Sequence, residues 1–105
     1  FVRTGRIGYT LSKAGLEGLT KSLAFEYGEH QVLSNCVAPG PTVTKMLKNT
    51  LEKKELSLLE RKIPIKRLCR PKDIASLVIF LIEKNKYING QTIVIDGGLT
   101  ISSNF

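Results

Sequence analysis

Long apolar stretches are the first thing this sequence lacks. The longest run, "IASLVIFLI" from Ile74 to Ile82, has nine residues. That is less than half of the roughly 20 that a membrane-spanning helix needs, and it suits a buried helix instead. The opening "FVRTGRIG" has no apolar core and does not read as a secretory leader. Cysteine and histidine are scarce. Cys36 and Cys69 show no metal-ligand spacing, and a single His cannot complete a zinc site with them, so no metal is expected. The two thiols read as reduced packing residues of a cytoplasmic protein. Methionine occurs once, at Met46, while the chain opens on Phe1. The expectation is that these residues are part of a longer chain. Internal repeats and low-complexity tracts are also missing.

What is present is an ordinary globular mix over 105 residues, 42 % hydrophobic and 24 % charged. The length favours one domain. The net charge of +7 is unevenly placed. Between Lys45 and Lys72 there are ten Lys or Arg against three Glu, and the remainder is neutral. A basic segment on a neutral body fits an anionic partner, although a Lys-rich run is also what a solvated helix face looks like.

Periodicity divides the chain into alternating elements. Residues 9–28 carry Leu16, Leu19, Leu23 and Phe25–Tyr27 at helical spacing, with Gly28 as the stop. "QVLSNCVAPGP", residues 31–41, reads as a short apolar strand closed by a Pro-Gly-Pro breaker. Residues 43–62 read as a lysine-rich helix with a break near Leu56-Ser57, with Leu47, Leu51 and Leu58 on one face, and Pro64 ends it. Pro71 and Asp73 suit the first turn of another helix, running to about Lys84. That helix is apolar almost all round and is expected to be buried on more than one side. Asn89-Gly90 is a turn, and "QTIVIDGG" is a β-branched strand. Helices alternating with apolar strands indicate an α/β fold with a parallel sheet.

Tyr9 and Lys13 are the candidate chemistry. Residues four apart on a helix share a face. A tyrosine, with an ordinary pKa of about 10, needs its phenolate stabilised before it can exchange protons near neutrality. A lysine ammonium one turn away supplies that charge. On its own the spacing is a weak signal. Context strengthens it: the helix leads to a strand that ends in a Pro-Gly turn, and ligands of open α/β sheets bind beyond the carboxyl ends of strands. Thr42 and Thr44 follow the turn, and the basic segment comes next, where a lid would be.

Four pieces, in order, resemble the C-terminal half of the short-chain dehydrogenase/reductase family. "YTLSKAGLEGLTKSLAFE" resembles its Y-x-x-x-K helix and "NCVAPGPTVT" its N-x-V-x-P-G-x-x-x-T turn. "RPKDIASLVIFLI" resembles the penultimate helix and "INGQTIVIDGG" the final strand. The wording is closest to bacterial 3-oxoacyl-carrier-protein reductases. The resemblance implies an α/β fold that is the C-terminal half of a Rossmann-like doubly wound parallel sheet. Residues 1–105 would belong to that single domain, with residues 43–70 as a helical substrate lid inside it.

The resemblance also implies roles. Tyr9 would give a proton to a carbonyl oxygen or take one from an alcohol. Lys13 would assist Tyr9 and bond the nicotinamide ribose of NADP or NAD. Pro39 and Gly40 would shape the wall against the nicotinamide. Thr42 through its backbone, and Thr44 through its hydroxyl, would hold the carboxamide or the phosphates. Thr42 and Pro41 both depart from the commoner residues of that turn. The substrate would be a small-molecule or carrier-bound carbonyl of a kind that suits a basic lid. The partners would include further copies, as a dimer or tetramer, with neither nucleic acid nor membrane among them.

The family's Gly-rich phosphate loop is not found in these residues. Its catalytic serine lies about a dozen residues before the tyrosine, and only eight residues precede Tyr9. Ser12 and Ser22 do not fill that role. The leading reading is therefore an oxidoreductase when full length. The alternative is an inactive fragment that serves as a binding or oligomerisation module. Nucleic-acid binding is set aside, because the basic segment has no interleaved aromatics.

Overall fold

The computed structural model describes residues 4–101. The opening Phe1 lies outside them. The chain orders as α1 (Ile7–Tyr27), a 3₁₀ turn (Gly28–His30), β1 (Cys36–Pro39), α2 (Lys45–Thr50), α3 (Lys53–Lys62), α4 (Pro71–Glu83), β2 (Thr92–Ile95) and a second 3₁₀ turn (Leu99–Ile101). The two strands form one sheet. Cys36 N–H donates to Gln91 C=O (2.8 Å) and Gly40 N–H to Ile95 C=O (3.0 Å). The offset between partners is the same at both ends, which makes the pair parallel. Among the described residues no helix is long and apolar enough to cross a membrane. The residues form two units: one runs to Cys36 and includes Asn85–Ile93, and the other holds Val37–Lys84 and the residues from Val94.

In the first unit, amide side chains join α1 to the residues before the strands. Asn89 Nδ2 donates to Ala24 C=O (3.1 Å), and Asn89 Oδ1 accepts from Ser34 N–H (2.9 Å). Asn35 Nδ2 donates to Ile88 C=O and Asn35 Oδ1 accepts from Gln91 N–H. Gly90 has φ of +71°, and a Cβ there would meet Ala24 Cβ at 3.2 Å. The helix and the Asn-Gly turn thus lie where the sequence puts them. The strand does not start at Val32. Gln31 is left-handed, and Val32 N–H turns back to Tyr27 C=O. With the Ser34 amide taken by Asn89, β1 begins only at Cys36.

The second unit has a small core. Ile63 is 2 % exposed and packs with Leu68 and Leu99, flanked by Val43, Leu47, Leu56 and Leu59. Complete burial of a side chain of this size contributes about 1.5–3 kcal/mol. The lysine-rich stretch is two helices, and the break falls at Leu51-Glu52 rather than Leu56-Ser57. Leu51 is extended, and Glu55 Oε1 reaches back to Glu52 N–H (3.4 Å) to begin α3. That rotates the apolar face: Leu56 and Leu59 join Leu47 at the core, while Leu58 and Met46 are exposed.

α4 begins where Pro71 and Asp73 indicate. Pro71 occupies the first turn, and Asp73 Oδ2 accepts Arg70 N–H at 2.8 Å. Its expected burial on several sides is not found. No α4 residue is buried, and Val78, Ile79, Phe80 and Ile82 are all exposed, Ile82 to 76 %. The described residues supply no element that covers the whole circumference of this helix.

Candidate active site

In the first unit, Tyr9 sits in the first turn of α1 and is 51 % exposed. The spacing brings Lys13 onto its face, with Nζ 5.5 Å from the ring centroid. Arg6, at the N-cap position, places Cζ 4.2 Å from the same centroid. Two cations therefore attend one phenol ring from opposite sides in the sequence. The sequence pattern does not single out Arg6. Its signal is the i, i+3 spacing to Tyr9, which becomes visible once the helix is started at Ile7. Ser12 hydroxyl is committed to the helix, donating to Gly8 C=O at 2.9 Å.

In the second unit, Pro39 ends β1 and Gly40, Thr42 and Thr44 follow in the turn after it. Gly40 N–H continues the ladder to Ile95 C=O, and Thr42 hydroxyl donates to Gly40 C=O at 2.9 Å. Thr42 also forms a parallel bridge with Cys69. Cys69 N–H donates to Pro41 C=O (3.0 Å), and Val43 N–H donates to Cys69 C=O (2.8 Å). Among the described residues the Thr42 N–H has no partner, which leaves it free for a ligand. Thr44 caps α2: its Oγ1 accepts from Leu47 N–H at 3.1 Å and keeps its own proton to donate. Gly40 has a structural reason as well. A Cβ there would meet Asp96 Cβ at 2.8 Å and Asp96 Cα at 2.9 Å.

Beside this turn is an open cleft of about 300 Å³, whose walls include Gly40, Pro41, Arg67, Asp73 and Asp96. Arg67 and Asp73 form a two-point ion pair, with Nη1–Oδ2 at 2.7 Å and Nη2–Oδ1 at 3.2 Å. The Arg67 hydrogen bond, joined by the Arg70 N–H, lowers the Asp73 carboxyl from its ordinary 3.8 to about 2. The same hydrogen bond raises Arg67. Desolvation pushes the Asp96 carboxyl up, but donors from Thr100 hydroxyl, Thr100 N–H and Gly98 N–H outweigh it, and the net shift is downward. The pairing of Arg67 with Asp73 has little signal in the sequence. In the sequence Arg67 is one of ten basic residues, and only the spacing across Pro71 marks it.

The family model described as enoyl-(acyl carrier protein) reductase matches residues 2–100. The chain belongs to the short-chain dehydrogenase/reductase family. It matches the C-terminal region of that family, as its four ordered motifs imply. It is 46 % identical over 99 residues to a 3-oxoacyl-[acyl-carrier-protein] reductase of Buchnera aphidicola, covering 90 % of this chain and 39 % of that protein. It is 40 % identical over 96 residues to an acetoacetyl-CoA reductase of an Acinetobacter strain, covering 90 % and 38 %. Among solved structures, a short chain dehydrogenase family protein from Francisella tularensis superposes with a TM-score of 0.86 at 34 % identity, over 97 % of this chain and 47 % of that one. The chain thus spans about two-fifths of the length of these curated relatives. As a family member it has an α/β architecture, and its described strands form a two-stranded parallel sheet.

Proposed function

We propose that these residues are the C-terminal part of an NAD(P)-dependent oxidoreductase acting on a carbonyl or secondary alcohol, in the manner of 3-oxoacyl reductases. The observation that carries this reading is the exposed Tyr9 with Arg6 and Lys13 both over its ring. Each unit offers donors of the kind a nicotinamide dinucleotide takes: an unpartnered Thr42 N–H and a Thr44 hydroxyl proton in the second, and an exposed Lys13 ammonium in the first. NADP or NAD, when bound, would supply the hydride chemistry. Tyr9 gives its phenolic proton to the carbonyl oxygen, or takes one back in the oxidative direction. Lys13 stabilises the developing phenolate and bonds the ribose. Pro39 and Gly40 would form the wall against the nicotinamide, while Thr42 and Thr44 would hold its carboxamide or the phosphates.

Residues 1–105 form part of one Rossmann-like domain in this reading, and residues 43–70 are its substrate lid. The lysines of α2 and α3 favour an anionic substrate, such as a carrier-bound or coenzyme-bound thioester. Exposed apolar residues on α1 and α4 support a homo-oligomer, a dimer or tetramer. The free thiols of Cys36 and Cys69 are in keeping with a cytoplasmic setting.

The test is Tyr9→Phe in the natural full-length protein. Turnover is expected to fall by at least about 100-fold, the lower end of what a positioned acid contributes. The thermal midpoint should stay within about 2 °C, as for a surface change. Retained turnover overturns the assignment.

A further inference from the structure

We infer that Arg67 and Asp73 are a positioning pair that fixes the turn Pro41–Val43 from outside it, an inference that rests on the cofactor role proposed for that turn. The argument turns on two peptide groups on either side of Cys69. The Leu68–Cys69 peptide is held at both ends: its carbonyl accepts from Arg67 Nη1 at 3.1 Å, and its N–H donates to Pro41 C=O at 3.0 Å. The Cys69–Arg70 peptide is held likewise. Its N–H donates to Asp73 Oδ2 at 2.8 Å, and its carbonyl accepts from Val43 N–H at 2.8 Å. Each peptide is gripped by the ion pair on one side and grips the turn on the other.

The charges also have the right sign. A guanidinium at the Leu68 carbonyl polarises that peptide and makes its N–H a better donor toward Pro41. A carboxylate at the Arg70 N–H polarises the next peptide and makes its carbonyl a better acceptor from Val43. Arg67 joins the arrangement with three hydrogen bonds, two to Asp73 and one to Leu68. Its fork geometry is what permits this. The side chains are 38 % and 25 % exposed, so water competes only in part for these bonds. Leu68 is buried on the other side, which keeps the backbone from drifting away from Arg67. The residue centred between the two gripped peptides is Thr42, whose free N–H is the proposed ligand donor.

The experiment uses the natural full-length protein and two probes, NADH and NADPH, titrated by fluorescence. Backbone amide exchange at Val43 and Cys69 is followed in parallel. Asp73→Asn and Arg67→Ala are expected to weaken binding of the preferred dinucleotide about tenfold and to speed both exchanges by a similar factor, the equivalent of one lost hydrogen bond to a charged group. Arg67→Lys keeps the charge without the fork and should fall between them and the wild type. It also serves if the other variants fail to fold. Thr100→Val is the matched control, because it removes a hydroxyl donor to Asp96 in the same unit without touching Cys69. An equal loss of affinity in Thr100→Val at equal stability would show ordinary structural weakening and overturn the inference. So would unchanged exchange at Val43 and Cys69 in Asp73→Asn. A wild type that binds neither dinucleotide is a failure of the functional reading itself, while the exchange data still judge the pair.

Discussion

Gly40 answers to two neighbours at once. On one side it belongs to the turn proposed to face a nicotinamide. On the other, its missing Cβ is where Asp96 passes, with Cα 2.9 Å from the ideal Cβ position. Backbone and a Cβ cannot swing aside as the end of a long side chain can. Gly40→Ala should therefore cost about 1–3 kcal/mol in folding stability, as overpacking does. Urea denaturation of the full-length protein measures this, and an unchanged midpoint would mean that the strand ends separate freely. That Tyr9 and Lys13 share a face is legible because helical geometry relates positions four apart. The reason for Gly40 is not, since its neighbour Asp96 is remote in the sequence. Arg6 is hidden for a smaller reason: a helix begun at Tyr9 leaves it in the loop, whereas α1 begins at Ile7.

Helix starts show how local chemistry reads at the scale of an element. Pro71 and Asp73 announce α4 because each is a recognised first-turn residue. The start of α3 is hidden, since Glu52 and Glu55 look like any glutamates in a lysine-rich run until Glu55 bonds back to the Glu52 amide. The first-turn carboxylate of α4 has a consequence in acid. Asp73 titrates at about 2 in the folded chain against an ordinary 3.8, so between those values the unfolded chain binds more protons than the folded one. Its contribution to stability is complete above about pH 4 and drains as pH falls toward 2. Asp96, also lowered, adds loss in the same direction. Denaturation midpoints measured from pH 5 to pH 2 should fall, and Asp73→Asn should start lower and fall less steeply. Parallel curves for the two proteins would remove Asp73 as the cause.

For the molecule as a whole, alternation of helix and strand was enough to give an α/β fold with parallel strands. Burial was not readable in the same way. A helix apolar on all sides states that it wants cover, and the described residues do not provide it. Val78, Ile79, Phe80 and Ile82 on α4, with Leu11, Leu19 and Phe25 on α1, remain in contact with water. The isolated 105-residue chain is therefore expected to bind a hydrophobic dye strongly and to associate, as patches of this kind do. A monomer without dye binding, by fluorescence and light scattering, would show that these faces are closed off in solution. The Thr42–Cys69 bridge has a different consequence. It joins the two ends of α2 and α3's excursion directly to each other, so that residues 43–68 are bounded by a fixed doorway. Closing a longer flexible loop costs only about 0.6 kcal/mol per doubling of length. Even so, the excursion is not an exchangeable cassette, because it carries Ile63 and Leu68 together with Val43, Leu47, Leu56 and Leu59, most of the core of its own unit. What can be rewritten is its outer face, Met46 and Leu58 among others, while the inward leucines hold the backbone on either side of the doorway where it is.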